Sequence, residues 1–303
     1  MKVIILLNFR SGRNALENEK TIRRVQSAAI RAGLVAELWP VDAPELPAAA
    51  RHAAALPVDA LVAAGGDGTV GAVAAVLAGS DMPLGVMPRG TLNHFARDLR
   101  IPREPGQAAR VIAAGRVRRI DVGEVNGQVF VNNSSIGIYP AMLQNRDEQR
   151  MRWKRKKWLA MAVAALRVFR SPPLLNVRVN VNGERFEIAT PLVFVGNNRY
   201  ELSLPALGAR PTLTGGELSL HVARLTTRAG IARLAVRGLF GLLRPSDDFH
   251  VSYATELTVE AARRQLRVAL DGETRLIAPP LNYRIRPRAL AVFAGFAGRR
   301  GES

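Results

Sequence analysis

Cysteine is absent from the 303-residue sequence. Its absence removes disulfides, thiolate nucleophiles and cysteine-ligated zinc together, and it fits a reducing compartment. Long apolar runs are also missing. No segment approaches the roughly 20 residues of a spanning helix, and the longest clean run, Trp158 to Leu166, is about half of that. The opening run Val3 to Leu7 is too short for a signal-peptide core, and no small-residue cleavage site follows it; a first β-strand explains it better. A cytoplasmic protein, in solution or lying on a membrane surface, is expected. Acidic residues are scarce beside basic ones, 25 against 43, which leaves a formal net charge of +18. Such a chain attracts polyanions, whether nucleic acid, anionic headgroups or nucleotides. Arginine-richness can also follow from a GC-rich genome, so charge alone does not choose among them. The four histidines, His52, His94, His221 and His250, show no metal-ligand spacing, and no Gly-x-Ser-x-Gly elbow is present.

What is there divides into two halves of different period. Up to about residue 120, short apolar runs alternate with helix-like stretches. Val3–Leu7, Leu34–Trp39, Asp59–Ala64 and Pro83–Met87 read as strands. Asn14–Ala32, Leu46–Leu56, Thr69–Leu77, a segment from about Thr91, and Ala108–Ala114 read as helices. Repeated βα units predict a parallel sheet covered on both faces. After residue 120 the period becomes two. Asp121–Asn132 reads as a hairpin around Asn126-Gly127, and Leu175, Val177, Val179 and Val181 alternate with polar residues before Asn182-Gly183. Leu192–Val195, Leu218–Leu225, Glu256–Ala261, Leu266–Leu270 and Leu281–Ile285 continue the pattern, with helical insertions near 155–170 and 229–243. The fold expected is α/β plus β: a doubly wound parallel-sheet nucleotide domain over residues 1–120, then an antiparallel β-sandwich-like acceptor domain over 121–285. The segment from about 286 to 303 is a candidate to return to the first domain.

Three turns carry chemistry. Ala64-Gly65-Gly66-Asp67-Gly68-Thr69 runs from strand into helix, and backbone amides of a glycine-rich turn at a helix N-terminus form an anion site. Glycine lets the backbone approach phosphate and take positive φ. Thr69 is placed to cap the helix or to bond a phosphate. Asp67 would repel a phosphate unless a cation lies between them, and magnesium is the economical choice. Gly-Asp-Gly is also ordinary turn chemistry, so this segment alone does not decide. Met87-Pro88-Arg89-Gly90-Thr91-Leu92-Asn93 repeats the strand-glycine-helix logic, and Asn8-Phe9-Arg10-Ser11-Gly12 follows the first strand. All three fall at the carboxyl ends of parallel strands, where open α/β sheets bind ligands. The pattern is neither a Walker A loop nor Gly-x-Gly-x-x-Gly.

At these residues the sequence resembles the diacylglycerol kinase catalytic-domain family, which includes sphingosine and ceramide kinases and soluble bacterial lipid kinases. NAD kinases are similar more distantly. The resemblance rests on an ordered set: Asn8-x-x-Ser11-Gly12, Gly65-Gly66-Asp67-Gly68-Thr69, Gly90-Thr91-x-Asn93-x-x-Ala96-Arg97, Ile120-Asp121-x-Gly123, Asn197-Asn198-Arg199-Tyr200 and Asp271-Gly272-Glu273. It implies that Asn8, Arg10, Ser11 and Gly12, with Gly65, Gly66, Asp67, Gly68, Thr69, Gly71, Gly90, Thr91 and Asn93, form the ATP wall. It implies that Asp67 organises magnesium and phosphate. Asp271 looks like the base for the acceptor hydroxyl, with Glu273 nearby, in a cleft between the domains. Read alone, Asp271-Gly272 is a hairpin turn. Soluble bacterial members usually carry Asp-Asp-Gly before a second-domain strand, tied to a structural magnesium. Here the matching stretch is Leu213-Thr214-Gly215-Gly216-Glu217, so that second metal site is not expected.

The basic stretch Arg150-Met151-Arg152-Trp153-Lys154-Arg155-Lys156-Lys157-Trp158 precedes an apolar run. Tryptophans beside lysines suit an anionic headgroup interface, and a solvated loop before a core helix is the plain alternative. Arg228 to Arg244 is a second candidate for lipid contact. No nucleic-acid module is recognised. The implied function is an ATP- and magnesium-dependent kinase acting on a lipid hydroxyl, peripherally bound to membranes. The alternatives are a kinase for a soluble acceptor such as NAD, or a non-catalytic membrane-binding protein on a kinase fold. The oligomeric state is left open, a homodimer being one option.

Overall fold

The computed structural model describes residues 1–9, 15–137, 174–200, 210–224, 227, 230 and 248–295. The chain divides into two compact units, Met1–Val122 with Pro287–Ser303, and Gly123–Arg286.

In the first unit, strands β1 (Lys2–Asn8), β2 (Val35–Val41), β3 (Ala60–Gly65) and β4 (Leu84–Pro88) run parallel in the order β2-β1-β3-β4. Five successive residues of β1, Val3 to Leu7, are fully buried, as a strand covered on both faces requires. Between them lie helices α1 (Ala15–Arg31), α2 (Leu46–Ala54) and α3 (Asp67–Leu77), followed by α4 (His94–Asp98) and α5 (Pro105–Ala113). The path leaves β1 toward β2 and then returns past β1 to β3. Right-handed crossovers therefore place α1 and α2 on opposite faces. The contacts agree, since α1 packs with α5 and α2 with α3. Strand order reverses between β1 and β3, which makes their carboxyl ends the topological switch point.

The helix expected from about Thr91 begins later, at His94. Asn93 sits at φ +52 and its side chain bonds both polar backbone atoms of Gly90, so Gly90–Asn93 is a closed turn. The strand expected to stop at Ile285 also runs further. As β16 (Leu281–Phe293) it passes from one unit to the other, and Val292 pairs in parallel with Leu84. Arg288, at φ +51, marks the change of direction, and the buried Asp121 carboxylate accepts its N–H at 2.8 Å.

In the second unit, β7 (Asn133–Gly137), β10 (Leu192–Asn197), β11 (Leu218–Ala223), β12 (Phe249–Ala254), β14 (Leu266–Leu270) and β15 (Glu273–Ile277) form an antiparallel sheet ordered β12-β11-β10-β7-β14-β15. A second antiparallel layer joins the start of β16 to β13 (Glu256–Ala261), β8 (Leu175–Val181) and β9 (Glu184–Thr190). The hairpin of β5 (Val117–Val125) and β6 (Gln128–Phe130) turns at Asn126-Gly127, both at positive φ. One apolar core joins the layers: Val177, Val179, Val259 and Tyr283 meet Ile136, Val193, Leu220 and Val268. This is the antiparallel sandwich anticipated from the alternation. Strands β7 and β12 were not anticipated. The helical insertions near 155–170 and 229–243 lie outside the described residues, as does the basic stretch 150–158. Among the described residues no helix is long and apolar enough to cross a membrane.

Candidate functional site

The switch point gathers the first-unit residues. Parallel register sets Leu7 beside Ala64 and Gly65 beside Pro88, so the loops after β1, β3 and β4 leave the same end of the sheet. Asn8 Nδ2 crosses from β1 to donate to Thr69 Oγ1 at 2.8 Å. Asn8 Oδ1 is buried and makes no hydrogen bond, which leaves an acceptor for a donor from a ligand. Thr69, 4% exposed, neither caps α3 nor faces solvent. Its side chain folds back over Gly65, where any Cβ would strike it.

Gly66 is the extended N-cap of α3, with no side chain bonded to the cap. The first amides of the helix are thus left for an anion. Gly66 and Gly90 lie backbone to backbone: a Cβ on Gly66 would stand 3.3 Å from the Cα of Gly90. Arg89 N–H donates to Gly65 O at 2.8 Å and ties the two turns. Asp67, half-buried, accepts the Phe95 N–H on Oδ1 at 3.2 Å and thereby joins the α3 turn to α4. Thr91 is exposed, and Asn93 is buried in its own turn. The structure therefore brings Asn8, Gly65, Gly66, Asp67, Gly68, Thr69, Gly90 and Asn93 to one place, with Gly71 buried one turn along α3. Arg10, Ser11 and Gly12 lie outside the described residues.

The second-unit residues form their own constellation. Asp271, at φ +49, starts the β14–β15 turn. Its Oδ2 accepts from Val131 N at 2.8 Å, and its Oδ1 from Asn132 N at 2.7 Å and Asn133 N at 3.2 Å. Burial pushes the carboxyl up to about 6, against the pull of those three amides and of Arg210. Burial likewise raises Glu273, opposed by Arg275, 3.9 Å away. Asp271-Gly272 is thus a hairpin turn whose carboxylate is held by three backbone amides.

The Asn197-Asn198-Arg199-Tyr200 motif stands behind that turn. Asn197 Nδ2 donates to Val131 O at 2.9 Å. Asn198, at φ +67, takes the Gly215 N–H on Oδ1 at 2.6 Å, while Arg199 pairs with Glu217. The loop Leu213-Thr214-Gly215-Gly216-Glu217 is therefore fastened by an asparagine and a surface ion pair. Among the described residues no group of three or more His, Asp or Glu side chains is placed to hold a metal. Sequence reasoning missed Val131–Asn133, which act through backbone amides that any residue type supplies, and Arg210, one arginine among many.

An open, mostly parallel sheet with glycine turns at its switch point, followed by an antiparallel sandwich, defines a two-domain α/β-plus-β protein. Residues 2–125 match the diacylglycerol kinase catalytic domain, and residues 134–294 match the YegS C-terminal NAD kinase beta sandwich-like domain. The chain is 30% identical to a diacylglycerol kinase of Bacillus subtilis (strain 168) over 278 residues, 89% of this chain and 88% of that one. It is also 30% identical over 258 residues to a diacylglycerol kinase of Mycobacterium tuberculosis (strain H37Rv), with 80% of each chain covered. A crystal structure of a diacylglycerol kinase from Bacillus anthracis (Sterne) superimposes with a TM-score of 0.66 at 20% identity, over 97% of both chains. The chain belongs to the diacylglycerol kinase family of lipid kinases.

Proposed function

We propose that this family member transfers the γ-phosphoryl group of ATP to the hydroxyl of a lipid alcohol. The observation that carries the reading is the meeting of Asn8, the Gly66–Asp67 turn and the Gly90–Asn93 turn at one switch point. Phosphoryl transfer asks the protein mainly for positioning and charge neutralisation. The α3 amides and the glycine turns supply a close approach to phosphate, and Asn8 Oδ1 an acceptor for the nucleotide. Asp67 has one oxygen committed to Phe95 N–H. Its other oxygen suits magnesium, which typically takes one or two carboxylates and completes its shell with phosphate oxygens and water. Bound there, magnesium would supply charge neutralisation. Residues 1–120 would thus be the nucleotide domain, with Arg10, Ser11, Gly12 and Thr91 completing its wall.

On the acceptor side, Asp271 takes the proton of the lipid hydroxyl as its oxygen forms a bond to phosphorus and the bridging oxygen leaves with ADP. A base of pKa near 6 is ionised at neutral pH and still basic enough to share a proton in the transition state. Glu273 supports the turn. The basic stretch 150–158 would hold the protein to anionic membrane surfaces, on the cytoplasmic side.

The test is labelled-ATP turnover against a panel of lipid alcohols in mixed micelles (diacylglycerol, ceramide, sphingoid base, phosphatidylglycerol, an undecaprenyl-type alcohol), with NAD as the soluble acceptor. Incorporation into one lipid class alone is expected. Incorporation into NAD alone would sink the lipid reading, and ATP binding without turnover on any acceptor would sink the enzyme.

A further inference from the structure

The Val131–Asn132 peptide is bonded at both polar ends. Its carbonyl accepts from Arg210 Nη1 at 2.6 Å and from Asn197 Nδ2 at 2.9 Å. Its N–H, on Asn132, donates to Asp271 Oδ1 at 2.7 Å. Arg210 also gives Nη2 to Asn132 Oδ1 at 3.1 Å and reaches Asn197 O at 3.4 Å. Its guanidinium is 5.5 Å from the centre of the Tyr200 ring, and the residue is only 8% exposed. Burying a cation is costly unless its donors and its charge are both answered. Here the donors are answered by the segment that cradles Asp271.

Hydrogen bonds in series through one amide polarise each other. Donation from a guanidinium onto Val131 O makes the Asn132 N–H a stronger donor to the carboxylate. The fork also pins Asn132 at two points, so the Val131, Asn132 and Asn133 amides stay aimed at Asp271. We propose that Arg210 is a positioning residue for Asp271, acting through the Val131–Asn132 peptide to hold the carboxylate in place and in its ionised form. This rests on the reading of Asp271 as the acceptor-side base. The other charged groups on its own hairpin are Arg267 on β14 and Glu273 and Arg275 on β15. The strands packed beside the turn, β7 and β10, offer Asn133 and Asn197, which carry no charge.

The experiment follows the Asp271 carboxyl by carbon-13 NMR against pH in the full chain, with its signal assigned by loss in Asp271→Asn, for wild type, Arg210→Gln and Arg210→Lys. The kcat–pH profile on the accepted lipid is measured alongside. Removing the cation should raise the Asp271 titration by about one pH unit in Arg210→Gln, with the acid limb of kcat moving by the same amount and KM for ATP unchanged. Arg210→Lys keeps the charge, so the titration should stay near wild type. There kcat should fall about tenfold, because an ammonium cannot span Val131 O and Asn132 Oδ1 as the fork does. An unmoved Asp271 titration in Arg210→Gln overturns the proposal. A titration that moves while the acid limb stays would support the link to Arg210 and sink Asp271 as the base. Should Arg210→Gln fail to fold, wild-type kcat in Arg210→Lys overturns the positioning role.

Discussion

A Cβ added to Gly90 would stand 2.7 Å from the Cα of Gly66 and 2.7 Å from Asn93 Oδ1. The two turns that close β3 and β4 therefore touch through bare backbone, and the Asn93 side chain is held in place by its two bonds to Gly90. Gly90→Ala should push them apart. Overpacking of this kind costs about 1–3 kcal/mol, and the displaced amides should weaken ATP binding about tenfold or more. Calorimetric titration with ATP and urea unfolding check both effects. Unchanged ATP affinity would mean that these turns do not hold the nucleotide.

Asp67→Asn separates charge from shape. The amide oxygen of asparagine can still accept the Phe95 N–H, so the α3–α4 joint survives. What is lost is the negative charge proposed to hold magnesium. Turnover should fall by at least about a hundredfold, the scale typical of losing a key electrostatic group, with a melting temperature close to wild type. An unchanged rate at saturating magnesium and ATP would remove Asp67 from the site.

Both glycine turns were visible in the sequence because each joins an apolar strand run to a helix-like run, although Gly-Asp-Gly by itself is also ordinary turn chemistry. The return of the chain at Arg288 was less visible, since it depends on a φ of +51 held by Asp121, 167 residues earlier. The same fact explains part of a motif: Asp121 secures Arg288, while Gly123 makes room for the Phe130 ring. Strand β7 escaped because Asn133-Ser134-Ser135 is polar, though Ser134 and Ser135 are buried and Ser134 bonds the Tyr283 hydroxyl. The Asp271 cradle escaped because backbone amides leave no trace in residue type. Arg210 was hidden by composition, since a chain rich in arginine gives no reason to single out one that is buried.

Chelation distinguishes a catalytic from a structural metal. No carboxylate stands at Thr214 or Gly215, and Asn198 Oδ1 already holds the Gly215 N–H. EDTA should stop phosphoryl transfer and leave the nucleotide-free melting temperature unmoved. A drop of several degrees would reveal a structural cation in the second unit.

Replacing Lys154, Arg155, Lys156 and Lys157 with glutamine removes four positive charges. At about 1 kcal/mol per residue near an anionic surface, binding to phosphatidylglycerol vesicles should weaken by two or more orders of magnitude. Turnover of a short-chain, water-soluble acceptor should change little. Equal loss on both would place the stretch in the fold or the active site rather than at a membrane.

The pH dependence of turnover bears on Asp271 most directly. Its carboxyl is raised from an ordinary value of 3.8 to about 6, burial being the main cause. Only the ionised form takes a proton, so kcat should rise with pH through about 6 and level off above it. The same shift has a stability consequence of known sign. Between about pH 4 and 6 the folded protein holds this proton and the unfolded chain does not, so the contribution of the group falls as pH rises across that window. Asp271→Asn should remove that slope from the urea midpoint and lower kcat by 10²–10⁴, the range for a positioned general base. The substitution is not silent in shape, because an NH₂ group would face one of the amides now satisfied by the carboxylate. The pH profile is therefore the cleaner reading, and Glu273→Gln, with a smaller effect on kcat, is its control. A flat kcat between pH 5 and 8, together with more than about a tenth of wild-type kcat in Asp271→Asn, would make Asp271 an ordinary turn residue and move the search for the base to Glu273.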